Sequence, residues 1–374
     1  MIYRLIKKMD AKKKLGKRII SDLTSDEKGR KLPKYLIDKA RTRMIRQVSA
    51  AKASHLEDIL QICLQHISPI TAPLALVSQI SYSGGSLLSR LLDGHSDLHA
   101  YPCAFATDTP NKGSWPKIDI TGKPEEWLNI LSKAIAVAGV QEGFEQGEED
   151  NARFPFMHLP ILQKQIFIKY LASVKPLNTR HVFDAHMTAC FGAWLNYQNQ
   201  GLDKKFVTAY APGLIMQNEA INNFFEIYPE GRFIALVRKP EHWIVSASRL
   251  EPQLYGNAES ALGDWKESVR AALQMRKKFG NRVCLIKFED LVAQTESVMR
   301  FLSEFLRIPY EDILLEPTFN GIPIQPVNGK KTDNSNASHQ NITESKTLDD
   351  DRRVLIEKMT AADYQTALRA VVDL

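Results

Sequence analysis

The sequence predicts an α/β domain with a central parallel sheet, helices on both faces of the sheet and a helical extension at the N-terminus. Residues 74–78 and residues 233–237 are short runs in which apolar residues occupy consecutive positions, as in strands that are buried on both faces. Each run passes through a short loop into a helical pattern, which is the order of elements found in parallel α/β sheets. With 374 residues, the chain is long enough for such a domain to bury a sizeable core.

The first part of the chain, residues 1–68, differs from the rest in charge and pattern. Residues 1–55 contain 17 Lys and Arg against 5 Asp and Glu, while the remaining 319 residues carry 32 basic and 38 acidic side chains. Apolar residues at helical spacing recur through this part until Pro69 and Pro73 end the pattern. We therefore predict a basic helical N-terminal extension over residues 1–68 and the α/β domain over residues 69–374.

The basic extension can occupy one of four environments. A basic amphipathic helix can extend into solvent, pack on a partner subunit in a homodimer, lie on an anionic membrane surface or contact a nucleic acid. The first two are favoured, peripheral membrane contact stays open, and no nucleic-acid partner is expected. No apolar run is long enough to span a membrane, and charges interrupt the first apolar residues, unlike those of a signal peptide. A cytoplasmic location is therefore expected.

The four cysteines indicate neither a disulfide framework nor a metal site. Cys63, Cys103, Cys190 and Cys284 are scattered along the chain and form no C-x-x-C pair. Cys284 lies in an apolar run and is most simply a small core residue. No metal is therefore expected.

The run at residues 74–78 leads into a loop of small residues. The apolar pattern breaks at Ser83-Gly84-Gly85-Ser86 and resumes with four leucines that share one face of a helix, Leu87, Leu88, Leu91 and Leu92. This order predicts an anion site, because the loop amides and the positive end of the helix both favour a negative charge. The Gly-Lys-Ser/Thr sequence of the P-loop and the G-x-G-x-x-G dinucleotide pattern are absent.

A second candidate site follows the run at residues 233–237. Arg238 stands at the carboxyl end of that predicted strand, and Pro240 suits the first position of a helix. Ser246 follows eight residues after Arg238, near the first turns of the helix. The planar guanidinium and a nearby hydroxyl suit a phosphate, while an ion pair with a neighbouring carboxylate is an equally good interpretation of the arginine.

Apolar periodicity and turn residues indicate the remaining elements. Further strands are predicted at 98–101, 181–187, 205–210 and within 283–291. Helices are predicted near 125–139, 160–174, 189–197, 217–228, 258–279, 296–306 and 348–372, and Gly280 suits the position that ends the longest of them. Residues 102–124 and 317–346 show no period and are predicted as surface loops, which could form walls of an acceptor site.

Together these stretches resemble the PAPS-dependent sulfotransferase family, in particular its bacterial members. The loop after the first strand resembles the one that binds the 5′-phosphosulfate of 3′-phosphoadenosine 5′-phosphosulfate (PAPS). The resemblance therefore implies that the cofactor is bound by the residues of this loop, which are Tyr82, Ser83, Gly84, Gly85 and Ser86. Arg238 and Ser246 match the arginine and serine that bind the 3′-phosphate in this family, at the same spacing.

Two further pieces extend the resemblance over roughly residues 72 to 330. Residues 283–291 resemble the family's strand that ends in Tyr/Phe-Glu-Asp-Leu. Lys330, in a Gly-Lys-Lys sequence, resembles the basic lid over the 3′-phosphate, although a solvated loop charge is the simpler interpretation. Glu289 and Asp290 are interpreted as a pair that anchors loops. The resemblance implies a P-loop-like sulfotransferase fold and transfer of a sulfuryl group from PAPS to a hydroxyl of a glycan, lipid or small-molecule acceptor, without a metal.

The sequence departs from the family pattern at two positions. Tyr82 stands where members usually have a Lys or Arg that stabilises the leaving oxygen, and a phenol carries no positive charge at neutral pH. No Glu occurs over residues 101–108, where many bacterial members have the base. His186, at the end of a predicted strand, and His99, beside the anion loop on the second strand, are the candidates for the base, although a structural histidine is the alternative for each.

Two other functions remain open. A family member that has lost efficient transfer would bind PAPS or its product PAP in a scaffolding role, because Tyr82 and the missing Glu remove two expected groups. An unrelated nucleotide-dependent kinase is less favoured, because the chain lacks Gly-Lys-Ser/Thr and shows no evident Mg²⁺ ligands.

Overall fold

A computed structural model describes residues 57–58, 60–105, 115–140, 143–145, 153–201, 203–324 and 348–371. The chain divides into two compact units, Met1–His66 and Ile67–Leu374. In the first unit, residues 60–65 are helical, in agreement with the predicted pattern. The rest of the basic extension, with the membrane and subunit contacts expected of it, lies outside the described residues.

A five-stranded parallel sheet forms the centre of the second unit. Its strands are β1 (Leu74–Ser78), β2 (Leu98–Ala104), β5 (Phe206–Tyr210), β6 (Arg232–Val237) and β7 (Val283–Lys287), in the order β2-β5-β1-β6-β7. Two small antiparallel pairs join β3 (Gly143–Glu145) to β4 (Arg153–Pro155) and β8 (Thr318–Phe319) to β9 (Ile322–Pro323). The predicted central parallel sheet is therefore confirmed.

Helices connect the strands, as the alternating pattern predicts. Among the described residues of the second unit, the helices are α1 (Gly85–Leu92), α2 (Pro124–Val140), α3 (Pro160–Ser173), α4 (Thr179–Gly192), α5 (Asn218–Ile227), α6 (Pro240–Leu250), α7 (Pro252–Tyr255), α8 (Ala258–Phe279), α9 (Phe288–Ala293), α10 (Thr295–Leu306) and α11 (Asp350–Ala370). Pro240 opens α6 and Gly280 caps the end of α8, as predicted.

Both faces of the sheet are buried. One cluster contains side chains of β1, β6 and β7 together with those of α1, α9 and α10, among them Val77, Leu88, Leu236, Ile286, Leu291 and Leu302. Successive strand residues point to opposite faces, so Leu74, Leu76 and Phe233 lie on the other side, where they are fully buried. There Phe224 of α5 approaches Phe233, with the ring centroids 6.5 Å apart. Helices therefore cover both faces of the sheet.

The prediction of a strand over residues 181–187 is wrong, because these residues lie inside α4. The side chain of Asn178 accepts a hydrogen bond from the amide of His181 at 3.0 Å, and the His181 ring accepts one from the amide of Asn178 at 3.3 Å, so the helix begins with a capping box. Every residue from Val182 to Phe191 is buried, so this helix has no polar face from which its period could be recognised. The helix predicted at 189–197 is likewise the end of α4, which stops at Gly192.

We predict that Asn178→Ala lowers the free energy of unfolding by about 1 kcal/mol, because the substitution removes the side-chain acceptor at the start of α4. Urea unfolding followed by circular dichroism measures the change. Asn178→Asp keeps an acceptor at this position and should keep most of the stability. Equal losses in the two variants would contradict the capping role.

Candidate functional site

The carboxyl ends of the parallel strands meet at one edge of the sheet, and several residues singled out in the sequence come together there. The loop that follows β1 leads into α1, Arg238 directly follows β6, and Phe288 directly follows β7. Because β6 pairs with both β1 and β7, these three segments are neighbours. The loop predicted to bind an anion therefore lies beside the arginine predicted to bind a phosphate.

The two residues at the centre of the loop, Gly84 and Gly85, leave no room for a side chain. Gly84 has φ 97°, and a Cβ atom there would lie 2.1 Å from the Phe288 ring. A Cβ atom on Gly85 would lie 2.2 Å from the side-chain amide of Gln79, which is completely buried. α1 begins at Gly85, and the first amides of a helix have no partner within it. The predicted order of strand, small-residue loop and helix is confirmed, and the helix start offers donors for an anion.

Two tryptophans fix the backbone on either side of this site. The indole N–H of Trp243 in α6 donates to the carbonyl of Ser81 at 2.8 Å, and that of Trp265 in α8 donates to the carbonyl of Arg238 at 3.0 Å. Both indoles are buried. The indole N–H of Trp243 therefore helps to hold the loop in place.

Arg238 is 4% exposed, and its side chain is only partly paired. Its Nη1 donates to the carbonyl of Tyr82 at 2.6 Å, and its guanidinium lies over the Phe288 ring at 4.5 Å from the centroid. Its Nε and Nη2 are buried and have no hydrogen-bond partner among the described residues. Burial lowers the pKa of Arg238 to about 10, although nearby Glu289 favours the charged form. Buried donors without an acceptor are costly, so this site is suited to a bound anion.

Glu289 does not take the place of that anion. Its Oε1 accepts hydrogen bonds from the amide of Lys239 and from Nδ1 of His242, both at 3.0 Å. Burial alone would raise the pKa of Glu289, but these hydrogen bonds keep it below its usual range. The interpretation of Glu289 as a loop anchor agrees with this geometry, because it ties the start of α6 to the start of α9.

Two other residues, Ser246 and Lys330, are predicted to bind the 3′-phosphate. Ser246 is buried in α6, which begins two residues after Arg238. Lys330 lies outside the described residues. The binding roles of Ser246 and Lys330, like those of Ser83 and Ser86, stay predictions.

Tyr82 has the unusual φ of 67° and a half-buried side chain. Burial raises its pKa to about 12, and a hydrogen bond to Glu251 and the charge of that carboxylate add to the effect. The ring of Tyr82 also meets the ring of Tyr255 edge-on, with the centroids 6.1 Å apart. The hydroxyl of Tyr82 is therefore neutral and bonded to a carboxylate. Because a phenol carries no positive charge, Tyr82 does not replace the Lys or Arg expected at this position. Local sequence patterns do not connect Glu251 with this site, because 169 residues separate it from Tyr82 in the chain.

His99 does not lie beside the loop, so the position predicted for it is wrong. It pairs in register with Val207 of β5, which itself pairs with Leu74 at the opposite end of β1 from the loop. At about 3.3 Å per residue, His99 is roughly 13 Å from the level of Ser78. Its Nδ1 is 3.0 Å from the hydroxyl of Tyr197, and burial, with a smaller effect of Lys204, lowers its pKa to about 3.

His186 is not at the end of a strand, as predicted, but inside α4, where it is completely buried. Its Nε2 is 3.0 Å from the hydroxyl of Tyr101, and its ring is packed near that of Phe105. Burial, with a smaller effect of His158, lowers the pKa of His186 to about 3. A neutral imidazole that resists protonation this strongly is a weak base.

Within the described residues, no group of three or more His, Cys, Asp and Glu side chains is arranged to hold a metal ion. The described helices also include none that is both long and apolar enough to cross a membrane.

We predict that Gly85→Ala lowers the free energy of unfolding by about 1–3 kcal/mol, because the added methyl group overlaps the buried amide of Gln79. Chemical denaturation of Gly85→Ala, Gln79→Ala and the double variant forms a double-mutant cycle. The methyl group should cost much less once Gln79 is shortened. The same cost in both backgrounds would contradict the close approach.

This chain is similar to known proteins in sequence and in structure. Curated proteins gave no significant match. Among solved structures, the chain is similar to the sulfotransferase domain of the olefin synthase from Synechococcus PCC 7002, at 19% identity and a TM-score of 0.49, with 83% of this chain and 97% of that chain covered. It is also similar to the sulfotransferase domain from the curacin biosynthetic pathway, at 16% identity and a TM-score of 0.41, covering 73% of this chain and 91% of that chain.

The sequence also matches a family model. The model described as the sulfotransferase family matches residues 81–312. This range includes the loop at Tyr82 to Ser86, the strands β5, β6 and β7, and Arg238. It covers more than half of the chain, which therefore belongs to the sulfotransferase family.

Proposed function

We propose that this protein transfers a sulfuryl group from PAPS to a hydroxyl group of a glycan, lipid or small-molecule acceptor. Sulfuryl transfer follows from the family. The choice of PAPS rests on one observation above all, the buried Arg238 with two donors that lack a partner among the described residues. A phosphate oxygen at this point would accept from both Nε and Nη2, and a planar guanidinium suits this bidentate contact.

The site offers two places for negative charge, as a nucleotide with a 3′-phosphate and a 5′-phosphosulfate requires. Arg238 is the place proposed for the 3′-phosphate. The loop from Ser83 to Ser86 and the start of α1 are the place proposed for the 5′-phosphosulfate, because helix-start amides stabilise charge on phosphate and sulfate oxygens.

The proposed reaction needs little from the protein beyond positioning, charge stabilisation and proton removal. The acceptor oxygen forms a bond to sulfur while the bond from sulfur to the bridging oxygen of the phosphosulfate breaks. The electron pair of that bond leaves with PAP, and the acceptor proton passes to a base. By analogy with phosphoryl transfer, loop amides aimed at the charged oxygens would lower the barrier.

One observation favours a second candidate function, a homologue that binds PAP or PAPS but transfers poorly. Tyr82 occupies the position where the family pattern places a cation, and its phenol is neutral and bonded to Glu251. The leaving oxygen would then lack one positively charged partner. The rate of turnover separates the two candidates, because the first consumes PAPS efficiently and the second slowly or not at all.

We predict that Arg238→Ala weakens PAP binding by roughly ten- to a hundredfold, because hydrogen bonds to charged groups contribute about 1.5–3 kcal/mol. Binding of 5′-AMP, which lacks the 3′-phosphate, should change little. Calorimetric titration measures both affinities. Arg300→Ala is the matched control, because Arg300 is exposed on α10 and paired with Glu296. Equal losses for PAP and 5′-AMP would remove the role assigned to Arg238.

Transfer itself is tested with PAPS that carries labelled sulfur, incubated with the protein and a panel of alcohols, phenols and sugars. We expect labelled sulfate esters to form equally well with and without a chelator of divalent cations. Binding of PAPS without any turnover would favour the homologue that only binds. Transfer of phosphate from ATP in the presence of Mg²⁺ would favour the kinase instead.

A further inference from the structure

Tyr210 ends the strand β5 beside the loop that follows β1, and the proposed reaction does not yet use it. Tyr210 pairs in register with Val77 of β1, and the two strands are parallel, so both end at the same edge of the sheet. Beyond this pair, the amide of Ala211 donates to the carbonyl of Val77 and the amide of Gly213 to the carbonyl of Gln79, both at 2.8 Å. These bonds hold the end of β5 against the beginning of the loop.

One side chain links Tyr210 to the start of α1. The side-chain Nε2 of Gln79 donates to the hydroxyl of Tyr210 at 3.3 Å. The same amide lies against Gly85, the first residue of α1, where a Cβ atom would be 2.2 Å from Nε2. The ring of Tyr210 packs against the apolar cluster that contains Leu88 and Leu91 of α1. The hydroxyl is therefore held near the helix start proposed for the 5′-phosphosulfate.

The hydroxyl of Tyr210 still has a proton to donate. Because its oxygen accepts from Gln79, its own O–H can donate, and no acceptor for it occurs among the described residues. Burial raises the pKa of Tyr210 to about 12, so the phenol keeps its proton at neutral pH. Gln79 is completely buried, and its Oε1 has no partner in the part of the chain that the structure describes. A buried amide with an unpaired acceptor is costly, so the bond to Tyr210 is what this amide provides.

The order of the strands indicates which part of PAPS lies near Tyr210. β1 lies between β6 and β5 in the sheet. In PAPS the ribose separates the 3′-phosphate from the 5′-phosphate, and the sulfuryl group is the terminal group beyond the 5′-phosphate. With the 3′-phosphate at Arg238 after β6 and the 5′-phosphate at the loop after β1, an extended nucleotide directs its sulfuryl group away from β6 and toward the end of β5.

We propose that the hydroxyl of Tyr210 donates a hydrogen bond to the sulfuryl group of PAPS, and that Gln79 is a positioning residue that orients this hydroxyl. This inference rests on the proposed function. The sulfuryl oxygens are charged, and hydrogen bonds to charged acceptors are stronger than those to neutral ones. Tyr210 neither gains nor loses a proton, and its bond stabilises charge on the sulfuryl oxygens while sulfur passes to the acceptor oxygen. Because PAP lacks the sulfuryl group, Tyr210 distinguishes the donor from the product.

The experiment compares the affinities for PAPS and PAP by calorimetric titration without an acceptor. Tyr210→Phe keeps the ring and removes the hydroxyl, so it should weaken PAPS binding by roughly ten- to a hundredfold and leave the Kd for PAP nearly unchanged. Gln79→Met keeps an unbranched side chain of similar length and removes the donor, so it should weaken PAPS binding less. In the Tyr210→Phe background, Gln79→Met should add no further loss, because it acts through the hydroxyl.

Tyr310→Phe is the matched control and should change neither affinity. Tyr310 follows α10, and the carbonyl of the neighbouring Pro309 is 2.9 Å from Nε2 of His95, which lies beyond the end of α1 opposite to the loop. Equal losses of PAPS and PAP binding in Tyr210→Phe, or no loss of either, would overturn the inference and leave the proposed function in place. A further loss from Gln79→Met in the Tyr210→Phe background would overturn the role of Gln79. A wild-type protein that binds neither PAPS nor PAP would overturn both the inference and the proposed function.

Discussion

A buried guanidinium with spare hydrogen-bond donors is the constraint on which this site depends. Burying a charge is costly unless it is paired, and Arg238 has only one donor bonded to the protein among the described residues. The guanidinium of Arg238 stacks on the Phe288 ring, which compensates for part of that cost. The same ring lies directly against Gly84. Phe288 thus contacts both Arg238 and the loop, so one aromatic side chain links the two proposed anion positions.

The helices that follow the strands hold this arrangement in place before any ligand binds. The indole N–H groups of Trp243 and Trp265 donate hydrogen bonds to backbone carbonyls of the loop and of Arg238, so α6 and α8 fix both segments. Glu289 joins the start of α6 to the start of α9. Binding sites that are already ordered lose little conformational freedom when the ligand arrives, which favours both affinity and positioning.

Local patterns in the sequence were enough to predict the central parts of the fold and site. The strand β1, the small-residue loop, the helix α1 and the place of Arg238 follow from apolar runs and turn residues. The helix α4 cannot be recognised from such a pattern, because all its central residues are buried and the amphipathic signal is absent. The position of His99 depends on strand order and register, and only the folded chain brings Glu251 to Tyr82, so local patterns reveal neither.

A crystal structure of the complex with PAP would test the central claim most directly. The account predicts that the 3′-phosphate lies within hydrogen-bond distance of both Nε and Nη2 of Arg238, with the 5′-phosphate at the loop from Ser83 to Ser86. PAP bound elsewhere, or bound with these two nitrogens still without a partner, would contradict it.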